Sequence, residues 1–346
     1  MSNIIVSTDP KINGGINKIN RLIQKNFKIT KYIIISNDKP DKNIKFDNWI
    51  KCYGYKPIII FNIFKFFDLI SKNKNKNKNI ILSDPQFSLI SYFLIFINFF
   101  FKKKIFFLSH GFFFHNNNFN IIKKIYFKFI KYFFLNYFKI ISISPNDSNI
   151  LKKNKFFNYI EIFNGVEKIK SSKKKKYFFC LIARNVKSKN IKNYINFLYF
   201  LKKNNIKYNN LKSVLISDNI NDLYISELKN LHVYSKLNDY RYKNILSRSK
   251  YIMSFSDYEG FGLSIIEGVG AGLIPICKQN SSFEIIFKDC KYLLFKKYNS
   301  KMLLKILIKI ENMKKKDLKE LFKKLNKIYL KFSINNMIKK YKLILN

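Results

Sequence analysis

The segment Ser256-Asp257-Tyr258-Glu259-Gly260-Phe261-Gly262-Leu263-Ser264-Ile265-Ile266-Glu267-Gly268 decides how the chain is read. It follows a short apolar run, Tyr251–Phe255, and leads into an apolar stretch that reads as a helix. Strand, glycine loop and helix in that order put Glu259 at the strand end and Glu267, eight positions on, in the first turns of the helix. Both then face the carboxyl edge of the sheet, where ligands bind in open α/β folds. The N–H groups of Phe261, Gly262 and Leu263 are left to hold an anion, as a helix start favours. A plain helix start accounts for one acidic residue but not for the paired glycines.

The glycines carry the same message. Nine of the ten fall at Gly14-Gly15, Gly111, Gly165, Gly260/Gly262 and Gly268/Gly270/Gly272, with Gly54 apart. In so glycine-poor a chain these are places where the backbone turns sharply or approaches something closely. Asn13-Gly14-Gly15-Ile16 lies between a first strand and a first helix, so it reads as a phosphate-receiving loop or as a tight turn. Arg184-Asn185-Val186-Lys187-Ser188-Lys189 follows the apolar run Tyr177–Ile182. Arg offers a planar fork for phosphate oxygens and Lys a point charge, so the pair suits a diphosphate.

Short apolar runs alternate with amphipathic ones along the whole chain. Strands are expected at Asn3–Ser7, Tyr32–Ser36, Ile80–Ser83, Ile105–Ser109, Ile140–Ser144 and Tyr159–Phe163. A second series runs through Tyr177–Ile182, Ser213–Ile216, Leu231–Tyr234, Tyr251–Phe255 and Ile274–Cys277. Helices are expected at Ile16–Asn26, Lys187–Leu201, Lys301–Tyr329 and Ser333–Leu345. Such alternation implies parallel sheets covered on both faces. Two series, parted near the Lys-rich stretch Glu167–Lys176, imply two doubly wound domains facing each other, residues 1–168 and 169–346, the last helix packing back on the first.

The 346 residues, 47% hydrophobic, suffice for two cores and exclude a disordered or fibrous chain. Four scattered cysteines and three histidines give neither a disulfide framework nor a zinc cluster, and fit a reducing cytoplasm. Met1–Ser7 reads as a strand and not as a secretory signal. The net charge of +45 suggests a polyanion partner, but it is almost all Lys, and Lys, Asn, Ile, Phe and Tyr are all written with A/T-rich codons. Biased codon usage accounts for the charge as well as a partner does, and no nucleic-acid motif accompanies it. Phe87–Phe101 is too short and too interrupted by Ser88, Ser91 and Asn98 to span a membrane. In Asn120–Phe138, Lys124, Lys128 and Lys131 share one helical stripe, which suits packing on the sheet or contact with a membrane surface.

Taken together these motifs resemble the family-4 retaining glycosyltransferases of two-Rossmann GT-B fold, whose motifs run here in the family's order over nearly the whole chain. The family's two glutamates match Glu259 and Glu267, its Arg-plus-Lys element Arg184 and Lys189, and its "NGV" turn Asn164-Gly165-Val166. Its early glycine turn matches Gly14-Gly15, and its His-Gly after a strand matches His110-Gly111. Ser109–His115 and Ala271–Pro275 are similar to GDP-mannose-dependent α-mannosyltransferases that extend polyprenyl-diphosphate-linked oligosaccharides. The chain departs from the pattern at Ala183, Phe112 and Ser264, and Val233-Tyr234-Ser235 lacks the glycine customary near the base.

The resemblance implies a nucleotide-diphosphate sugar, GDP-mannose or a UDP-sugar, held in a cleft between the domains. Its hexose would pass, with retention, to a saccharide acceptor on a lipid carrier in bacterial surface polysaccharide assembly. Arg184, Lys189 and the amides of Gly260, Phe261, Gly262 and Leu263 would hold the diphosphate, so neither metal nor other cofactor is expected, and no Asp-x-Asp motif occurs. Glu259 would hold the sugar hydroxyls, Glu267 the ribose, and His110 the reacting centre, with Gly14 and Gly15 beside the substrate. The acceptor would be read by loops of the first domain around Asp9–Asn13, Cys52–Lys56 and Phe112–Asn118, and the protein would sit in the cytoplasm or at the inner membrane face. Two other readings compete: a nucleotide-sugar epimerase of the same fold, and a non-enzymatic basic protein that binds nucleic acid or membrane.

Overall fold

The computed structural model describes residues 2–7, 15–42, 44–53, 60–71, 78–83, 104–109, 139–204, 206–208, 210–218, 225–235 and 237–345. The chain divides into two compact units: Met1–Asn164 with Met337–Asn346, and Gly165–Asn336. The break falls at Asn164–Gly165, where the sequence reading sets it at 168/169.

In the first unit the strands are β1 (Ser2–Ser7), β2 (Ile29–Ser36), β3 (Asn48–Tyr53), β4 (Ile60–Phe61), β5 (Lys78–Leu82), β6 (Lys104–Leu108), β7 (Lys139–Ser142) and β8 (Tyr159–Glu161). They form one sheet in the order β4-β3-β2-β1-β5-β6-β7-β8, parallel except for the β3–β4 pair. Successive residues feed opposite faces. Ile4, Val6, Ile33, Ile35, Ile80 and Leu82 enter one core, and Ile5, Tyr32, Ile34 and Ile81 the other. Both faces are therefore covered, which is why the strands read as unbroken apolar runs. Among the helices described here are α1 (Gly15–Asn26), α2 (Ile63–Ser71) and α3 (Pro145–Lys153). Ser144 caps α3 by accepting the Asp147 N–H at 3.0 Å, with Pro145 in the first turn. Met337, Tyr341 and Leu345, spaced at one helical turn on the final helix Ile334–Leu345, join the second core of this unit.

In the second unit the elements run β9 (Tyr177–Ile182), α4 (Ile191–Lys203), β10 (Ser213–Ile216), β11 (Leu231–Tyr234), α5 (Asp239–Ser247), β12 (Ser249–Ser254), α6 (Leu263–Gly270), β13 (Ile274–Lys278), α7 (Ser281–Ile286), β14 (Leu294–Phe295), α8 (Ser300–Glu311) and α9 (Lys315–Lys331). The sheet order is β11-β10-β9-β12-β13-β14, and every pair is parallel. Counted within the unit this is 3-2-1-4-5-6, the Rossmann order, whose direction reverses between β9 and β12. Asparagines open three of the helices: Asn238, Asn280 and Asn299 accept the N–H of Arg241, Phe283 and Met302 at the starts of α5, α7 and α8.

Two expected helices are broken. Lys187–Leu201 splits into a 3₁₀ turn, Lys187–Lys189, and α4, because Asn190 adopts the left-handed conformation (φ 49°, ψ 43°). Lys301–Tyr329 splits into α8 and α9: Asn312 closes α8 with its N–H on Ile308 O, and Lys314 is extended. No described helix is long and apolar enough to cross a membrane. Phe87–Phe101 and Asn120–Phe138 lie outside the described residues.

Candidate active site

Because β9 and β12 are neighbours running in parallel, the loops that leave their carboxyl ends lie side by side. The first carries Arg184 and Lys189, the second Asp257 to Gly262. This is the switch point of the sheet, where helices diverge to opposite faces and leave a crevice.

Lys189 Nζ donates to Glu259 Oε1 at 2.5 Å, and both side chains keep only 16% of their exposure. Arg184, in the same loop, is exposed, and its guanidinium pairs with no described residue. Glu267 stands on α6 with 6% exposure, and its Oε2 accepts from Tyr242 Oη on α5 at 2.5 Å. Burial and the adjoining carboxylate push the Tyr242 hydroxyl well above its usual range, so it stays a donor. Lys189 and Glu259 thus meet directly, Glu267 takes its partner from a neighbouring helix, and Arg184 faces solvent.

The glycine loop has a defined build. Ser282 Oγ on α7 donates to the carbonyls of Glu259, at 2.5 Å, and Gly260, at 3.0 Å, and Asn280 Nδ2 donates to Ser256 O at 3.1 Å. Gly262 (φ 83°) precedes α6, and a Cβ there would lie 2.6 Å from Phe283 Cε1. Phe261 turns inward against Phe332, ring centroids 5.1 Å apart. The N–H groups of Phe261, Gly262, Leu263 and Ser264 donate to no described residue, as expected of the first turn of a helix. Unpaired N–H groups at a helix start are the kind of donor that can receive an anion.

A contrast follows. Gly262→Ala should cost about 2–3 kcal/mol, from the left-handed backbone and the collision with Phe283. At Gly260 a Cβ would meet only Tyr258 Oη, at 3.8 Å, so Gly260→Ala should stay within about 0.5 kcal/mol of the parent. Urea unfolding midpoints of the two variants decide it, and equal losses would contradict the geometry.

Several residues here escape the sequence reading. Asp257, within the quoted segment, takes hydrogen bonds from Asn190 Nδ2, at 2.8 Å, and from Lys278 Nζ. Burial raises its pKa, but these two donors outweigh it and hold the carboxyl below the usual carboxylate range. Asn190 had a visible signal, since Asn is the non-glycine residue that tolerates left-handed turns. Tyr242 had none. Gly15 opens α1, while Gly14 and His110 lie outside the described residues, as do His115, Asp9–Asn13 and Phe112–Asn118. Ser109, at the end of β6, donates from Oγ to Asp147 Oδ2 at 3.0 Å and accepts from the Ile143 N–H at 3.1 Å.

Residues 165–327 match the family described as "Glycosyl transferases group 1". The chain is 23% identical, over 190 residues, to a GDP-mannose:cellobiosyl-diphosphopolyprenol alpha-mannosyltransferase of Komagataeibacter xylinus; the match covers 51% of this chain and 47% of that protein. The aligned part thus spans about half the length of that curated relative. A glycosyltransferase structure from Rickettsia africae ESF-5 covers 99% of this chain and 97% of its own at a TM-score of 0.70 and 17% identity. Sucrose-phosphate synthase from Thermosynechococcus elongatus covers 99% and 98% at a TM-score of 0.67 and 12% identity. Residues 165–327 are thus similar to the group 1 glycosyl transferases, and the chain that carries them has the GT-B fold of two Rossmann-like units.

Proposed function

We propose that the protein is a retaining glycosyltransferase that moves a hexose from a nucleotide-diphosphate sugar to a saccharide acceptor. The observation that carries this is the meeting of Lys189 with Glu259 across the two loops that leave the β9–β12 switch point, one of which carries Arg184 and the other the unpaired amides of residues 261–264. In the reaction the bond between the anomeric carbon and the distal phosphate oxygen breaks, and its electron pair stays on the diphosphate. An acceptor hydroxyl bonds to the anomeric carbon on the same face, and its proton ends on the released diphosphate. Negative charge therefore grows where Arg184, Lys189 and the amides stand, while positive character grows on the sugar. Preorganised donors aimed at growing charge are the largest single source of such catalysis, and these supply it without a metal. Glu259 holds sugar hydroxyls, and Glu267, oriented by Tyr242, holds the ribose.

Following the resemblance of its Ser109–His115 segment and the name of the K. xylinus relative, GDP-mannose is the first donor to test, and a polyprenyl-diphosphate-linked saccharide the first acceptor. The first unit takes the acceptor, at the inner face of a membrane in surface polysaccharide assembly, and His110 is the residue of that unit to test first for a part in the reaction. The test is incubation with labelled GDP- and UDP-sugars, with and without lipid-linked acceptor. Transfer that requires acceptor supports the reading. Isomerised donor without acceptor, or no turnover, refutes it.

A further inference from the structure

We propose that Asn190, Asp257 and Lys278 form a positioning brace that sets Lys189 against Glu259; what the brace serves rests on the function proposed above. Strands β9, β12 and β13 end side by side, and each tip supplies one member: Asn190 after β9, Asp257 after β12, and Lys278 as the last residue of β13. Asp257 is the hub. Its Oδ2 accepts from Asn190 Nδ2 at 2.8 Å, its Oδ1 accepts from Lys278 Nζ, and its backbone N–H donates to Ser188 O at 2.9 Å. Asn190 Nδ2 also donates to Phe255 O at 3.1 Å. The loop that carries Lys189 is thus tied on both sides of that lysine, at Ser188 and Asn190, to the loop that carries Glu259.

The residue types are specific to this task. Position 190 has φ 49°, so its backbone favours glycine, asparagine or aspartate. Glycine would lack the side-chain donor, and aspartate would set a second carboxylate against Asp257. Asp257 keeps 52% of its side-chain exposure and Lys278 21%, and an ion pair that open contributes little to stability. Its value is geometric: charge-assisted bonds hold a loop at a fixed distance. A misplacement of about 1 Å around reacting groups costs about 10²-fold in rate, so losing one tie among several should cost about tenfold. The loss should fall on kcat, because Arg184 and the loop amides still bind the donor in its ground state.

The test uses the full chain and three variants: Asn190→Gly, Asn190→Asp and Asp257→Asn. Asn190→Gly keeps the backbone and removes the donor. The expected results are a kcat about tenfold lower with donor KM within about twofold, and faster hydrogen exchange at the Asp257 amide. Asn190→Asp should be slower than Asn190→Gly, an order that a purely backbone role would not produce. Parental kcat and parental exchange in Asn190→Gly overturn the brace. If the parent protein turns over no GDP- or UDP-sugar, the functional reading falls and exchange alone decides: faster exchange at Asp257 in the variants upholds the brace, and unchanged protection overturns it.

Discussion

Lys189→Ala is expected to lower turnover of the nucleotide-sugar donor by about 10²–10³, the usual loss for one group that stabilises growing charge in an acyl or glycosyl site. Two effects act together. The leaving diphosphate loses a cation, and Glu259 loses the 2.5 Å partner that holds its carboxylate at the strand tip. The second effect sets an order among variants. Lys189→Arg keeps the charge but replaces a point cation by a planar fork in a half-buried place, so it should recover only part of the rate. Arg184→Ala, whose guanidinium pairs with no described residue, should lose rate without disturbing Glu259. Steady-state kinetics on the three variants, with fold checked by circular dichroism, tests this. Lys189→Ala at parental kcat would remove the cationic site from the mechanism.

Gly165→Ala should destabilise the second unit by about 3 kcal/mol. A Cβ on Gly165 would stand 2.6 Å from Ile334 Cα, 2.9 Å from Ile334 N and 3.0 Å from Ser333 O. These are backbone atoms, so no rotamer change relieves the overlap. Here the chain entering the unit pairs with the chain leaving it: Val166 N–H donates to Phe332 O at 2.9 Å, and Ile334 N–H donates to Val166 O at 3.1 Å. The methyl group forces these two segments apart. Chemical denaturation followed by circular dichroism measures the loss, and a midpoint equal to the parent's would show that the crossing adapts freely.

The sheets were the legible part. Tyr177–Ile182 and Ser213–Ile216 stand where the sequence predicts them, because a strand covered on both faces must be an unbroken apolar run, and Leu231–Tyr234 stands there too although it is an edge strand and only half buried. β3 escaped notice, since Asn48–Tyr53 lies only half buried at its start and alternates with exposed Lys51 and Tyr53. The break at Asn190 escaped because Lys187-Ser188-Lys189 before it read as the polar first turn of the helix that Ile191, Ile195 and Leu198 continue; the one signal was an asparagine where the backbone turns left-handed. At the site, the sequence brings Lys189 and Glu259 to neighbouring strand tips, but their direct ion pair was not foreseen. Tyr242 could not be paired with Glu267, because a hydrogen bond between two helices leaves no spacing rule in the sequence.

The return of Met337, Tyr341 and Leu345 to the first unit has a consequence for biosynthesis. The second unit is one continuous stretch, Gly165–Asn336, and it leaves the ribosome before those residues do. At about 5–20 residues per second, the growing chain waits on the order of 10–30 s with one face of its earliest sheet unfinished. The half translated later is thus the first to close.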